Sequence, residues 1–239
     1  MSTVVITGSA RGIGAATAAL FADSGYNVVI NYNTSEKEAL ALAEKLGDKA
    51  IAVQADVSKP EGAKLLFKKV KETFGNADVL VNNAGIAQQK LFTDITQADY
   101  DRMFDCNVRS VFNCCQCALP DMIHNKYGRI INISSMWGVV GASCEVHYSA
   151  SKAAVIGMTK ALAREVAPSG ITVNCIAPGV IDTPMNSCFD EDVMKELCEE
   201  TPVGRIGRPE DVAKAVLFFA DPKNDFITGQ ILGVDGAFI

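Results

Sequence analysis

The chain has 239 residues and a formal net charge of −6, and its hydrophobic and charged fractions of 49% and 21% are ordinary for a folded protein. This composition excludes an intrinsically disordered chain, and an acidic balance without a Lys/Arg cluster argues against nucleic-acid binding. No apolar run approaches the roughly 20 residues that span a bilayer, and Met1-Ser2-Thr3 lacks the basic segment of a secretory signal. We therefore expect a cytoplasmic protein with neither a nucleic-acid nor a membrane partner.

Eight cysteines are scattered along the chain, and the only cluster is Cys114, Cys115 and Cys117. A chain of this size rarely depends on disulfides, so we expect reduced thiols. The three clustered cysteines fall in one predicted helix with no histidine close in sequence. Small packed side chains are therefore favoured over a metal site, and we predict no bound metal.

Short β-branched runs alternate with helical patterns from one end of the chain to the other. In chain order, the predicted strands are Thr3–Thr7, Asn27–Asn31, Ala50–Gln54, Asp78–Val81, Arg129–Ile133, Thr172–Ile176 and Gln230–Val234. Between them lie predicted helices at 12–24, 36–46, 60–74, 97–122, 149–167 and 209–220. Strands this apolar are covered on both faces, and the alternation is typical of βαβ units. It predicts one α/β domain over residues 1–239: a single-domain Rossmann fold with a doubly wound, seven-stranded parallel sheet and helices on both faces.

One irregular stretch interrupts this alternation, from Pro178 to Arg208, with a short helical piece near 190–199. A long excursion inside a compact domain is usually a lid or binding loop, so we predict a substrate lid at about 183–205. Against the single Lys195, the lid carries the acidic residues Asp190, Glu191, Asp192, Glu196, Glu199 and Glu200. Such a surface would repel an acidic partner if it lay on the approach path, and is otherwise a solvated helix face.

The first predicted strand leads into Thr7-Gly8-Ser9-Ala10-Arg11-Gly12-Ile13-Gly14 and then into an alanine-rich helix. Glycines permit a tight turn and let the backbone approach a pyrophosphate. The N-terminus of the following helix offers free N–H groups to anionic oxygens. A glycine pattern alone is a weak signal, but its place between the first strand and the first helix favours a dinucleotide site over a plain turn.

The spacing G-x3-G-x-G resembles the short-chain dehydrogenase/reductase family, and further matches follow in the order that the family has them. These are Asp56-Val57, Asn82-Asn83-Ala84-Gly85, Asn107, Ser135, Tyr148-x3-Lys152 and Pro178-Gly179. The resemblance covers the chain from Thr3 to about Gly236. It implies an oxidoreductase that transfers a hydride between a nicotinamide dinucleotide and a carbonyl or alcohol.

By this resemblance, Asp56 and Val57 hold the adenine ring, while Ile181 and Thr183 meet the nicotinamide carboxamide. The residues from Asn83 to Gly85 line the cleft. The full predicted cofactor set is Gly8, Ser9, Arg11, Gly12, Ile13, Gly14, Asn31, Asp56, Val57, Asn83, Ala84, Gly85, Tyr148, Lys152, Pro178, Gly179, Ile181 and Thr183.

The end of the second strand bears on which nicotinamide cofactor is used, because an acidic residue there would bind the ribose 2′-hydroxyl and repel a 2′-phosphate. This sequence has Asn31-Tyr32-Asn33-Thr34-Ser35 at that place, with no carboxylate before Glu36. Arg11, in the glycine turn, could face the phosphate or be a solvated turn residue. We therefore expect NADP(H), with NAD(H) as the alternative because no second basic residue follows the strand.

Carbonyl reduction needs a proton donor and groups that fix the carbonyl. Tyr148 and Lys152 lie four residues apart in a helical stretch, so they share one face, and a nearby ammonium is expected to lower the tyrosine pKa from about 10. The family resemblance makes Tyr148 the acid/base and lets Lys152 bind the nicotinamide ribose. It also has Ser135 bond the substrate oxygen and Asn107 anchor a water in a proton relay.

The neighbours of these residues are less informative. His147 is expected to face away from Tyr148, because adjacent helical residues point about 100° apart. Met136, Trp137, Cys144 and Glu145 either line the substrate pocket or pack within loops.

Within the family, stretches such as Ala161–Ala167 and Gly170–Asn174 resemble reductases of 3-oxoacyl thioesters, so a 3-oxoacyl thioester is the expected substrate. This resemblance implies an acyl carrier protein as a possible partner, docked by basic side chains beside the active-site entrance. Lys126 could stand for one of them, but Ser169 occupies the position where another is often found.

Two other functions stay open. The same chemistry could serve acetoacetyl-CoA, a hydroxysteroid, a sugar or a polyol. A non-catalytic dinucleotide sensor is disfavoured, because a sensor has no need of Ser135, Tyr148 and Lys152 together. The resemblance also implies a homotetramer, with the helices at 97–122 and 149–167 at the shared interface.

Overall fold

Seven parallel strands form the sheet predicted from the sequence. A computed structural model describes residues 1–186 and 191–239 of the chain. Its strands are β1 (Thr3–Ile6), β2 (Asn27–Tyr32), β3 (Ala50–Gln54), β4 (Val79–Asn82), β5 (Gly128–Ile133), β6 (Ile171–Pro178) and β7 (Ile231–Val234). They pair in the order β3-β2-β1-β4-β5-β6-β7. The order reverses between β1 and β4, which is where sheets of this kind bind ligands, beyond the carboxyl ends of the strands.

Helices cover both faces of this sheet. They are α1 (Gly12–Asp23), α2 (Glu36–Leu46), α3 (Pro60–Phe74), α4 (Gln97–Phe104), α5 (Ser110–Asn125), α6 (Trp137–Val140), α7 (Val146–Val166), α8 (Glu191–Glu200) and α9 (Pro209–Ala220). Successive side chains of a strand point to opposite faces, so Val4 and Val5 of β1 enter different cores. Val4 packs with Phe21 and Val216, from α1 and α9. The core on the other face holds side chains of α3, α5 and α7. The predicted Rossmann-type fold is confirmed.

The predicted helix at 97–122 is wrong in one respect, because the structure divides it into α4 and α5. Between them the residues Asp105–Arg109 form a π-helical turn, and Asn107 in this turn is buried. Turns of this width are rare inside helices and are frequent at functional sites. The polar and apolar periodicity continues on both sides, so the sequence pattern does not reveal the break.

Other bounds differ by a few residues. Helix α7 begins at Val146 rather than at 149, so Tyr148 falls within its first turn. The helical piece predicted near 190–199 is α8, and a bridge between Ile181 and Gly207 closes the base of the surrounding segment. Among the acidic residues predicted there, Asp190 lies outside the described residues.

The described cysteines are free thiols. Cys114 and Cys115 of α5 are buried in the core, and burial raises the pKa of Cys115 to about 12. Within residues 1–186 and 191–239, no group of three His, Cys, Asp or Glu side chains is placed to hold a metal ion. In the same part of the chain, no helix combines the length and apolar character needed to cross a bilayer.

Candidate active site

The turn after β1 is shaped by glycines that no other residue could replace without strain. Gly8 and Gly12 adopt φ values of 61° and 56°, in the left-handed region. A Cβ on Gly14 would lie 2.7 Å from Nδ2 of Asn83 and within 2.9 Å of the Gly8 carbonyl oxygen. Arg11 precedes α1 without making a side-chain cap. The first N–H groups of α1 are therefore available to an anion.

Side chains from neighbouring strands hold this turn in place. Asn83 donates through Nδ2 to the carbonyls of Thr7 and Gly8, at 2.9 and 3.0 Å. The Thr7 hydroxyl oxygen accepts from the backbone N–H of Asn83 at 3.0 Å. Asn31 accepts from the Gly8 N–H at 3.3 Å and donates to the Ala55 carbonyl at 3.0 Å. Asn31 borders the cleft, but its amide is bonded to the protein.

Ser9 was predicted to line the cleft, but the structure places it beneath the turn. Its side chain is fully buried, and its hydroxyl donates to the carbonyl of Ile6 at 2.7 Å. Its N–H donates to the carbonyl of Asn31. Ser9 therefore stabilises the turn from inside, because both of its donors are bonded to backbone.

A cavity of about 1000 Å³ lies over the carboxyl ends of β1, β2 and β4. A second cavity, of about 440 Å³, adjoins it, and the two share lining residues that include Ile13, Gly85 and Thr183. The predicted residues that border the first cavity are Gly8, Arg11, Gly12, Ile13, Asn31, Asp56, Val57, Asn83, Ala84, Gly85 and Thr183. Those bordering the second include Pro178, Gly179 and Ile181. Together the cavities form one elongated cleft across the glycine turn.

The residues of this cleft fit a nicotinamide dinucleotide. The free helix N-terminus lies at its middle, where a pyrophosphate would need it. At the inner end, a Cβ on Gly85 would lie 3.1 Å from Oδ1 of Asn107 and 3.3 Å from Nζ of Lys152. Glycine thus keeps the floor of the cleft low, so that a flat ring system has room above it.

Ser135, Tyr148 and Lys152 meet in the wall of the second cavity, as predicted. Ser135 follows β5, and the other two lie on α7. All three are buried, with 7%, 7% and 5% of their surface exposed. The Lys152 ammonium donates to the Ile133 carbonyl at 2.9 Å and lies 5.8 Å from the centre of the Tyr148 ring.

Burial dominates the proton affinities of this pair. It raises the pKa of Tyr148 to about 12, with the Ser135 hydroxyl acting against the shift and Glu145 adding to it. It lowers the pKa of Lys152 to about 8. The prediction that Lys152 lowers the pKa of Tyr148 is therefore wrong for this arrangement, because desolvation of the phenolate outweighs the distant ammonium. Tyr148 keeps its proton at neutral pH, which suits a proton donor.

Asn107 connects the loop after β4 to α7, the helix that carries Tyr148 and Lys152. Its Oδ1 accepts from the Ile86 N–H at 2.8 Å, and its Nδ2 donates to the Ile86 carbonyl at 2.9 Å and to the Ser151 hydroxyl at 3.0 Å. Both N–H donors of the carboxamide are thus bonded to protein. Positioning of this loop against α7 is the role that the contacts show, and the water relay stays a prediction.

Of the residues that flank the catalytic ones, Met136, Trp137 and Glu145 border the second cavity, whereas Cys144 is not part of its described wall. His147 is outside the described lining of this cavity, and its Nε2 lies 2.9 Å from Oε1 of Gln88.

Sequence reasoning missed two supports of the site. The Ile133 carbonyl holds the Lys152 ammonium, and the Ser134 hydroxyl donates to the Lys152 carbonyl at 2.9 Å. A backbone acceptor leaves no residue-type signal, and a serine beside another serine gives no sign of which one faces the cavity.

Lys126 and Ser169 do not lie beside the entrance to this site, so the predicted docking position is wrong within this chain. Lys126 ends α5 in a left-handed conformation just before β5, and Ser169 lies just before β6. Ser135 and Gly179 follow the carboxyl ends of the same two strands. The two positions are therefore at the opposite edge of the sheet, a separation that the pattern of the chain alone does not show.

A dinucleotide cleft at the switch point of a parallel sheet, with a buried Ser–Tyr–Lys group at its inner end, defines a dinucleotide-dependent oxidoreductase. Residues 8–238 match the family model described as enoyl-(acyl carrier protein) reductase. The chain belongs to the short-chain dehydrogenase/reductase family of oxidoreductases.

Similar proteins match over nearly their whole length. The chain is 40% identical over 237 residues to the 3-oxoacyl-[acyl-carrier-protein] reductase FabG of Staphylococcus aureus, covering 98% of this chain and 96% of that protein. It is 40% identical over 235 residues to the reductase of the same name from Chlamydia muridarum, covering 97% and 95%. It is also 41% identical over 240 residues to an uncharacterized oxidoreductase, YmfI, of Bacillus subtilis, covering 99% and 98%.

Proposed function

We propose that this protein is an NADP(H)-dependent ketone reductase that acts on 3-oxoacyl thioesters and yields the secondary alcohol. The observation that carries the proposal is the burial of Ser135, Tyr148 and Lys152 together at the inner end of the dinucleotide cleft. Two of the similar proteins are named 3-oxoacyl-[acyl-carrier-protein] reductases, which supports the substrate class.

In this proposal the bound nicotinamide supplies a hydride to the ketone carbon, and the protein residues do the rest. The hydroxyls of Ser135 and Tyr148 donate hydrogen bonds to the ketone oxygen and fix it in place. Tyr148 passes its proton from Oη to the alkoxide oxygen as that oxygen gains charge. Lys152, with a pKa of about 8, can return a proton to Tyr148 near neutral pH. Burial of the three side chains keeps bulk water away.

The cofactor would lie with its pyrophosphate on the N-terminus of α1, its adenine beside Asp56 and Val57, and its carboxamide near Ile181 and Thr183. The preference for NADP(H) rests on charge at the far end of the cleft. Tyr32 and Asn33 border this end and carry no charge at neutral pH, whereas Arg11 is exposed there.

Replacing Arg11 by alanine is expected to raise the KM for NADPH by about tenfold, the value of one charge-assisted hydrogen bond, and to leave the KM for NADH nearly unchanged. Steady-state kinetics with both cofactors measure this difference. Arg164→Ala is the control, because Arg164 is an exposed arginine of α7 outside the cleft lining. Equal losses with both cofactors would show that Arg11 does not contact the 2′-phosphate.

The substrate class is tested by kcat/KM with NADPH for the carbonyl and enoyl compounds acetoacetyl-CoA, a ketosteroid, a keto sugar and crotonyl-CoA, and with NADP+ in the reverse direction for a 3-hydroxyacyl-CoA, a hydroxysteroid and a polyol. In each direction we expect the 3-oxoacyl or 3-hydroxyacyl thioester to exceed each other compound by about 100-fold, since a site that hydrogen-bonds its substrate rejects analogues lacking those groups. Crotonyl-CoA examines enoyl reduction, the activity in the matching family description. Faster turnover of any other compound would refute the thioester assignment, and no turnover at all would favour a dinucleotide sensor.

We also propose that the segment at about 183–205 of this single domain is a substrate lid. Val193 and Leu197 of α8 border the catalytic cavity, while Asp192, Glu196, Glu199 and Glu200 are exposed. An apolar face toward the cavity suits an acyl chain. An acyl carrier protein would have to approach past these exposed acids, which weigh against it as a partner.

A homotetramer in the cytoplasm is the proposed form of the protein. Phe112 on α5 and Val146 on α7 are large apolar side chains with 49% and 42% of their surface exposed. A Cβ on Gly157 of α7 would meet open space, so a helix from another subunit could pack closely there.

A further inference from the structure

Glu145 lies in the wall of the catalytic cavity, and the steps proposed above do not use it. It immediately precedes α7, three residues before Tyr148, in a non-helical backbone conformation. Only 9% of Glu145 is exposed, and it borders the same cavity as Ser135 and Tyr148. A carboxyl group therefore faces the space where a substrate would be bound.

This carboxyl group has little compensation for its burial. Gln89 donates through Nε2 to Oε1 of Glu145 at 3.3 Å. Within the described residues, Oε2 accepts no hydrogen bond from the protein and no cation lies at ion-pair distance from Glu145; Oε2 is not among the fully buried unpartnered atoms, so it is accessible from the cavity. A buried carboxylate without a cation is unfavourable, and burial accordingly raises the pKa of Glu145, with the Gln89 hydrogen bond acting against the shift. The acid and carboxylate forms thus lie closer in free energy than on the surface.

The charged side chains near Glu145 are bonded to other partners, so they do not fix whether its carboxyl group is protonated. On α7, Lys152 donates to the Ile133 carbonyl and His147 lies against Gln88. On the loop after β4, Lys90 pairs with Asp99 of α4 at 2.7 Å. Helix α8 turns Val193 and Leu197 toward the cavity and exposes its described carboxylates. The interaction that remains is with Tyr148, whose pKa the Glu145 carboxylate raises.

A 3-oxoacyl thioester differs from a simple ketone by a second carbonyl, on the carbon next but one to the ketone. The oxygen of that carbonyl accepts hydrogen bonds and cannot donate them. A carboxylic acid can donate to it, whereas a carboxylate places negative charge against it. Glu145 in the cavity wall would therefore attract the second carbonyl when protonated and repel it when ionised.

We propose that Glu145 is a specificity-determining residue for this second carbonyl: its acid form binds 3-oxoacyl substrates by a hydrogen bond to the thioester oxygen, and its carboxylate form weakens their binding. The inference rests on the proposed substrate class. Because the protonated form binds better, substrate affinity is highest below the pKa of Glu145. Affinity is lost as the pH rises through that pKa. The KM of a ketone with no second carbonyl does not depend on this hydrogen bond, whereas the kcat of either substrate can respond through Tyr148, whose pKa the carboxylate raises.

The experiment compares the full-length enzyme with Glu145→Gln and Glu145→Ala. The KM and kcat for an acetoacetyl thioester and for a simple monoketone are measured with NADPH from about pH 4.5, near the ordinary carboxyl pKa, upward to about pH 8.5. Glutamine keeps the shape and offers a permanent donor, whereas alanine removes both charge and donor.

We expect the wild-type KM for the thioester to rise with pH. In Glu145→Gln it should be independent of pH and about tenfold lower than wild type at the upper end, the value of one hydrogen bond. In Glu145→Ala it should be independent of pH without reaching the glutamine value.

The result separates a specificity role from a structural one. An unchanged pH dependence of the thioester KM in Glu145→Gln would overturn the inference and leave the proposed function intact. A change in the KM for the monoketone equal to that for the thioester would also overturn the inference and leave the proposed function intact. Turnover of the monoketone but not of the thioester, by wild type and Glu145→Gln alike, would overturn the proposed substrate class and this inference with it.

Discussion

Replacement of Tyr148 by phenylalanine is expected to lower kcat/KM for ketone reduction by about 10³-fold, within the range that general acid catalysis contributes. The phenol is the proposed proton donor, and burial raises its pKa to about 12, so in this proposal it is protonated when the alkoxide needs a proton. Phenylalanine preserves the ring and its packing and removes only the hydroxyl. Steady-state kinetics give the rate, and fluorescence titration with NADPH should show that cofactor affinity is retained.

A second tyrosine serves as the control for Tyr148→Phe. Tyr100→Phe removes a hydroxyl from an exposed tyrosine whose ring stacks on Phe104, away from the cavity wall, and should leave the rate unchanged. If Tyr148→Phe kept the activity of the wild type, the proposed proton donor would be wrong.

Replacement of Gly14 by alanine is expected to weaken NADPH binding by about 100-fold, because small displacements of a positioning group have effects of this size. A Cβ there would lie 2.6 Å from the Ser9 Cα, 2.7 Å from Nδ2 of Asn83 and 2.9 Å from the Gly8 carbonyl oxygen. Asn83 would have to give up its hydrogen bonds to the turn. Overpacking of this kind also costs about 1–3 kcal/mol of unfolding free energy, which denaturant titration measures.

The control for Gly14→Ala lies next to it in α1. Ala15→Gly removes a Cβ instead of adding one, and it lowers helix stability by about 1 kcal/mol without crowding the turn. It should therefore reduce stability while leaving the dissociation constant for NADPH close to that of the wild type. Equal losses of affinity in both variants would mean that stability, and not the shape of the turn, controls cofactor binding.

The course of the sheet could be predicted because its physical signal is local. Strands such as Asn27–Tyr32 and Gly128–Ile133 have apolar centres and are buried along almost their whole length, and their observed bounds lie within a residue of the predicted ones. The π-helical turn at Asp105–Arg109 could not be predicted in this way. It depends on how Asn107 bonds to Ile86 and Ser151, residues far apart in sequence.

In the site, the residues that meet could be predicted and their energetics could not. The order of the glycine turn, Ser135, Tyr148 and Lys152 predicts their convergence, since all follow from strands that end at one edge. The direction in which the pKa of Tyr148 shifts depends on how deeply the ring is buried and on the 5.8 Å between its centre and Lys152 Nζ. Neither quantity can be predicted from the spacing of the two residues in the sequence. The buried position of the Ser9 side chain, whose hydroxyl donates to the Ile6 carbonyl, could likewise not be predicted from the sequence.

The π-helical turn between α4 and α5 also limits how this segment can vary in length. A single wide turn holds one more residue than a regular α-helix would, and each helical residue advances the chain by about 100°. Deleting one residue from Asp105–Arg109 would straighten the helix, but it would rotate α4, and with it the Lys90–Asp99 pair, around the axis of α5. Exchange of the side chain at Arg109, the exposed position of this turn, leaves that rotation untouched. The number of residues here is therefore under stricter physical control than the identity of that residue.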